Sequence, residues 1–289
     1  DYYASRGLGD VYKRQPYSNS AFDIVCKNDK VYMIIGGKDL LNGKRFDKGG
    51  YILTYDYDKW SFIDPKEAQK KLNLPRNPRD YTSIAVTTDD SNDEIVYASS
   101  MGDGVIQYKN GTPVQSYNEK NAFKETAGGY GSGYCYIDGL AFDKNGNLWM
   151  TSSEVNHAVL VLDKAGAWHR LDIEQLRGVY TINDILITST NDKWIYVPRN
   201  TPKLVMIPNS ESLDEVSSYE FTTLIDTDGK ELTPSNYTCV AEDKDGYIWV
   251  GTNRGAVYFT KPRISSAEDK AATRCTRVKY TNEETGNLA

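Results

Sequence analysis

Two stretches of this chain repeat one another closely, and that repeat constrains the fold more than any other feature. One is Gly139-Leu-Ala-Phe-Asp143-Lys-Asn145-Gly146-Asn-Leu-Trp149-Met-Thr151-Ser. The other is Cys239-Val-Ala-Glu-Asp243-Lys-Asp245-Gly246-Tyr-Ile-Trp249-Val-Gly251-Thr252. Each reads as a short apolar strand, an Asp-Lys-(Asn/Asp)-Gly turn and a second strand carrying Trp. Asn-Gly and Asp-Gly supply the positive φ angles of a tight hairpin. The Trp stands at a fixed offset after the Gly, which puts it on one face of the second strand, where it can fill the space between sheets.

Weaker copies surround these two. Phe22–Val25 leads to Val31-Tyr32, Ser83–Val86 to Ile95–Tyr97, and Ile182–Ile187 to Trp194–Val197. The aromatic anchors Tyr32, Tyr97, Trp149, Trp194 and Trp249 are spaced by roughly 65, 52, 45 and 55 residues, near the length of a propeller blade. A third apolar strand follows each of the last four anchors, at Gly104–Tyr108, Ala158–Leu162, Lys203–Ile207 and Gly255–Phe259, and a fourth is visible at Trp168–Leu171. Four strands per unit at this period predict an all-β chain, a β-propeller with about five four-stranded blades. A parallel β-helix would repeat over a shorter period, and a Greek-key sandwich would not repeat the same anchor. Pro65–Leu72, with Pro at its first position, predicts a short helix between the first two blades. Asp172–Arg177 predicts another, and Arg277–Tyr280 a late strand.

Residues 5–15, Ser-Arg-Gly-Leu-Gly-Asp-Val-Tyr-Lys-Arg-Gln, resemble the conceptual translation of a transposase-type sequencing adapter. Residues 1–15 are therefore expected to be a non-native, unpacked tail, and residues 16–289 a partial propeller. On this reading the ring is incomplete, from a gene truncated at both ends, and any signal peptide is lost with the natural N-terminus. Unpaired edge strands would make such a fragment prone to association.

Composition narrows the partners. The net charge is −6 with no basic stripe, which argues against a nucleic-acid partner. Mean hydropathy is −0.59 and the longest apolar runs, such as Val31–Ile35, are of strand length, so no transmembrane segment is expected. Cys26, Cys135, Cys239 and Cys275 form no CxxC pair, and Cys26 and Cys239, inside apolar runs, read as buried small hydrophobes.

No residue is singled out as catalytic, metal-ligating or ligand-binding, and no cofactor is expected. The Asp226/Asp228 and Asp243/Asp245 pairs lack the twelve-residue ligand spacing of an EF-hand and read as hairpin turns. The run Gly128–Gly133 opens no helix, so it reads as a surface loop rather than a phosphate loop; Tyr130 and Tyr134 are the aromatics it could offer a ligand. His157 and His169 stand in no Cys or carboxylate cluster, and no Gly-x-Ser-x-Gly elbow is present.

The pattern Asp243-Lys-Asp-Gly-Tyr-Ile-Trp-Val-Gly-Thr-Asn-Arg-Gly255 resembles the repeat of two-component regulator propellers. A longer resemblance is to the PorZ-type propeller proteins of the type IX secretion system. It is carried by Met101–Gly111, Tyr136–Trp149, Leu232–Asp243 and the end from Arg277 through Gly286-Asn-Leu-Ala289. That resemblance implies a larger exported protein of Bacteroidetes-type bacteria, with two propellers and a C-terminal β-sandwich, at the cell surface or outer membrane. It also implies protein partners in an attachment complex with a sortase-like protease, and a role in joining anionic lipopolysaccharide to cargo. The expected function is thus a non-enzymatic binding and assembly module. The second reading is a periplasmic oligosaccharide-sensing propeller of a hybrid two-component histidine kinase.

Overall fold

A computed structural model describes residues 16–40, 43–57, 59–128 and 133–278. The tail expected over 1–15, Tyr130 and the end at Gly286–Ala289 lie outside the described residues. The fold is a β-propeller, as the repeat predicts. Blade 1 comprises β1 (Ala21–Lys27), β2 (Lys30–Ile35), β3 (Ile52–Asp56) and β4 (Lys59–Ile63). Helix α1 (Pro65–Leu72) leads to blade 2, with β5 (Tyr81–Thr88), β6 (Glu94–Gly102), β7 (Gly104–Lys109) and β8 (Thr112–Tyr117). Blade 3 holds β9 (Cys135–Phe142), β10 (Leu148–Ser152), β11 (Val159–Leu162) and β12 (Trp168–Leu171). Blade 4 holds β13 (Ile185–Ile187), β14 (Lys193–Val197), β15 (Lys203–Ile207) and β16 (Tyr219–Phe221). A small hairpin, β17 (Leu224–Ile225) and β18 (Glu231–Leu232), precedes blade 5, formed by β19 (Tyr237–Glu242), β20 (Tyr247–Thr252), β21 (Gly255–Thr260) and β22 (Cys275–Arg277). Helix α2 (Ala267–Ala272) lies between β21 and β22. Within each blade the strands pair antiparallel in chain order, and the first strands of successive blades lie beside one another.

The turns at Asp143–Gly146 and Asp243–Gly246 work differently from the expected double positive φ. Only the glycine is left-handed, at φ 85° for Gly146 and 79° for Gly246; Asn145 and Asp245 are not. The turn is a type I bend closed by a glycine bulge, with Gly146 N donating to Asp143 O at 3.1 Å. The aspartate side chain does the rest. Asp143 Oδ1 accepts from Asn145 N at 2.9 Å and Asn147 N at 2.8 Å, and Oδ2 accepts from Trp149 Nε1 at 2.9 Å. Asp243 repeats this with Asp245 N, Tyr247 N and Trp249 Nε1, the last at 2.7 Å. Asp163 does the same with Ala167 N and puts His169 Nε2, 2.9 Å away, where the others hold an indole. One carboxylate thus shapes the turn and satisfies the buried polar end of the anchor.

Each anchor faces the next blade. Tyr32 packs against blade 2 beside Ile84, Val96 and Ile106; Tyr97 packs against blade 3 beside Ile137 and Met150. Trp149 is buried among Ile185, Ile195 and Val205 of blade 4, with Lys193 Nζ 4.4 Å from its ring centroid. Trp194 meets Phe259 and Val250 of blade 5. Trp249, on the face of blade 5 turned away from blade 4, is only half-buried.

That geometry also corrects the cysteine expectation. Cys26 and Cys239 are exposed, whereas Cys135 and Cys275 are buried. Cys26 on β1 and Cys239 on β19 sit on first strands of the outermost described blades, on faces that no other described blade covers. The helix expected over Asp172–Arg177 is a single 3-10 turn, Glu174–Leu176. The predicted α1 forms over the expected residues, with Asp64 Oδ1 accepting from Lys66 N at 2.9 Å as its N-cap.

Candidate functional site

The first strands of blades 1, 2, 3 and 5 share an irregularity that builds the site. Pairing skips one residue between Ala21 and Asp23, between Tyr81 and Ser83, between Met150 and Ser152 on the partner of β9, and between Tyr237 and Cys239. A β-bulge re-aims a side chain out of the alternating pattern. Three residues at these bulges, Phe22, Thr82 and Asp138, line one cavity of about 350 Å³ between the first strands. Asp23, Lys38, Asn183, Asp184 and Tyr196 complete its polar wall, drawn from blades 1 to 4.

Hydroxyls tie this wall from blade to blade. Thr82 Oγ1 donates to Ile137 O at 2.5 Å. Ser83 Oγ donates to Asp23 Oδ2 at 3.2 Å and accepts from Leu140 N at 3.2 Å, so it joins three blades. Thr151 Oγ1 accepts from Gly139 N and donates to Asn183 O, both at 2.9 Å. Tyr196 hydroxyl donates to Thr238 O at 3.1 Å. Gly139 is required here by close approach: a Cβ would stand 2.8 Å from Ile185 N and 2.9 Å from Asp184 Cα.

The charged groups lie inside this frame. Lys38 Nζ pairs with Asp138 Oδ1 and lies 5.0 Å from the centroid of the Tyr136 ring. Asp138 Oδ2 accepts from Ser153 Oγ at 2.6 Å. Burial pushes the Asp138 carboxyl up to about 6, against the pull of Lys38. Asp184 is pushed up to about 7, first by its depth in the molecule and then by the negative charge of Asp23, although its side chain still meets solvent. Asp23 is raised by burial, partly offset by the N–H groups of Ile84 and Ile24. Chemically, the wall can hold cations and hydroxyls and can take up or release a proton near neutrality.

The residues weighed in the sequence lie elsewhere. Asp226 and Asp243 serve as turn acceptors for backbone N–H groups, as the hairpin reading has it, and Asp226 also pairs with Arg277 Nε at 2.7 Å. His157 pairs with Glu125, and His169 with Asp163. The ring of Tyr134 lies over Gly102, where a Cβ would meet it at 2.8 Å, and borders a hollow with Arg45, Arg76 and Tyr180. Asp23, Asp138, Asp184 and Lys38 escaped sequence reasoning. The one available signal was an Asp beside the apolar run that opens a blade, an ordinary neighbour in an acidic chain.

Comparison with known proteins supports the fold. The two-component regulator propeller model matches residues 231–254, which run from β18 through the β20–β21 turn. No curated protein matches the chain. PorZ, an essential surface component of the type IX secretion system of Porphyromonas gingivalis, superposes with a TM-score of 0.76 at 19% identity, over 95% of this chain and 36% of that one. The extracellular domain of the hybrid two component system BT3049 from B. thetaiotaomicron superposes at 0.51 and 14% identity, over 96% and 38%. A luciferin-regenerating enzyme superposes at 0.54 and 9% identity, over 90% and 76%. At these identities the likeness is one of fold. The chain spans little more than a third of the PorZ and BT3049 chains. No helix among the described residues is long and apolar enough to cross a membrane.

Proposed function

We propose that this chain is a non-catalytic binding and assembly module of an exported bacterial surface protein, acting in a type IX secretion attachment complex. The observation that carries this is the fit to PorZ, which holds over nearly the whole chain at a TM-score of 0.76, against 0.51 for the extracellular domain of the two component system. The physical basis is a rigid scaffold. Hydroxyl bridges between blades, four interblade cores and the Lys38–Asp138 pair fix the blades, so their loops present constant surfaces to a protein partner or a surface glycan. In the site itself Lys38, Asp138 and Asp23 are engaged in holding blades together, which suits binding better than turnover.

The test is made in the bacterium that carries the gene. Deletion is expected to leave cargo of the secretion system released into the medium rather than attached, and protease added to intact cells is expected to digest the tagged protein. The family-model match at 231–254 favours the sensor as the second reading. Under that reading, deletion leaves attachment intact and abolishes a transcriptional response to an oligosaccharide.

A further inference from the structure

The cavity between the first strands holds more negative charge than it neutralises. Asp23, Asp138 and Asp184 line it with one ammonium, that of Lys38. Lys38 is committed to Asp138, and that contact is buried on both sides. Asp23 is held by the Ser83 hydroxyl and Ile84 N. Asp184 Oδ1 accepts only from Ile185 N, at 2.8 Å, among the described residues. Two carboxylates thus remain without a cation. They do not share a point with a third ligand: among the described residues no three His, Cys, Asp or Glu side chains converge as a metal site. An extended organic cation fits such a wall better than a metal ion.

A separate observation points to a ligand on the same wall. Asn183 is 7% exposed, and its Nδ2 donates to the Tyr196 hydroxyl at 3.3 Å. Its carbonyl oxygen Oδ1 has no hydrogen-bond partner among the described residues. Leaving so deep an acceptor empty is unfavourable, and a donor from outside the chain would satisfy it. Phe22 and Leu40 add an apolar patch beside these polar groups. At about 350 Å³ the cavity is near the lower end of ligand sites, a size for one ring rather than a chain of them.

We propose that this cavity binds a small polyhydroxylated organic cation of the amino-sugar class. Its ammonium rests between Asp184 and Asp23, a hydroxyl donates to Asn183 Oδ1, and its carbon face lies on Phe22. This site lies between the first strands and is independent of the outer surfaces through which the chain is proposed to assemble.

The probe is D-glucosamine, titrated calorimetrically into the full chain at pH 7.5, with D-glucose as the uncharged control at matched salt. Saturable binding of glucosamine, with glucose weaker by tenfold or more, is the expected result. Asp184→Asn and Asn183→Ala are each expected to weaken glucosamine at least tenfold. Asp184→Asn removes a charge without changing shape; should its thermal melt lose cooperativity, Asp23→Asn replaces it. Absence of glucosamine binding, equal binding of glucose, or undiminished binding by a folded Asp184→Asn overturns the proposal. None of these outcomes bears on the cell-surface deletion test, so the two readings fail separately.

Discussion

Lys38 of blade 1 and Asp138 of blade 3 form an ion pair that spans blade 2 and is buried on both sides, at 3% and 1% side-chain exposure. Burying two charges costs nearly what their attraction returns, but removing one partner strands the other. Lys38→Met is therefore expected to destabilise the chain by about 3–5 kcal/mol at pH 7.5. Lys38→Met with Asp138→Leu is expected to recover most of that loss. The single loss is smaller at pH 5, because the Asp138 carboxyl, already up at about 6 with its partner present, then protonates. Urea unfolding of the wild type, Lys38→Met, Asp138→Leu and the double variant at both pH values measures it, and the cycle isolates the pair.

The cavity carboxylates also set the pH profile of stability. The folded state holds the proton of buried Asp138, up at about 6, more tightly than the unfolded chain, where it lies near 3.8, and that of Asp184, up at about 7, to a lesser extent because its side chain is exposed and screened by water. Between those values the folded state binds more protons, so stability is highest near pH 4 and falls as pH rises toward 7. Asp163 and Asp243, held low by His169 and Trp249 respectively, act in the opposite sense, but only below about pH 4. The groups facing Asp184 are Asp23, Asp138 and Lys38. The Tm is expected to drop by about 2 °C or more from pH 4.5 to 7.5, and Asp184→Asn is expected to flatten that slope. A rising Tm across this window would contradict the assignment.

The two copies of the turn offer an internal comparison. Asp143 is buried and serves the indole of a fully packed Trp149; Asp243 is half-buried and serves the half-buried Trp249. Asp143→Ala strands the buried Trp149 Nε1 at the interface with blade 4 and releases the turn N–H groups of Asn145 and Asn147, and is expected to cost about 3 kcal/mol. Asp243→Ala exposes its donors to water and is expected to cost about 1 kcal/mol. Chemical denaturation with unchanged m-values tests the difference.

The blades were legible in the sequence because the device that makes them is local. Asp143, Gly146 and Trp149 lie within one turn of chain, so their spacing carries the hairpin and the direction of the anchor. The interior site was not legible, for two reasons. Phe22, Thr82 and Asp138 reach the cavity through bulges, and a bulge exists only once two strands are paired in register. Lys38 and Asp138 stand 100 residues apart, and only the arrangement of blades brings them together. The cysteines show the same limit. Cys135 and Cys239 both sit on first strands of blades, and their opposite burial depends on which blade lies beside them.

That contrast gives the simplest test of the architecture. Cys26 and Cys239 are exposed, so a disulfide reagent reaches them in the native state. Cys135 is buried with its thiol pushed up to about 12, chiefly by burial, and Cys275 is raised by burial and by Asp226. Both are shielded from the reagent and poor in thiolate. Of the four cysteines in the chain, two are expected to react within minutes at pH 8 and two only on adding denaturant. Cys26→Ser and Cys239→Ser should each remove one fast equivalent, while Cys135→Ser and Cys275→Ser should remove none. Four fast equivalents in the native protein would mean that blades 2 and 3 do not pack around Cys135, nor blades 4 and 5 around Cys275, and the interblade cores described above would fall with them.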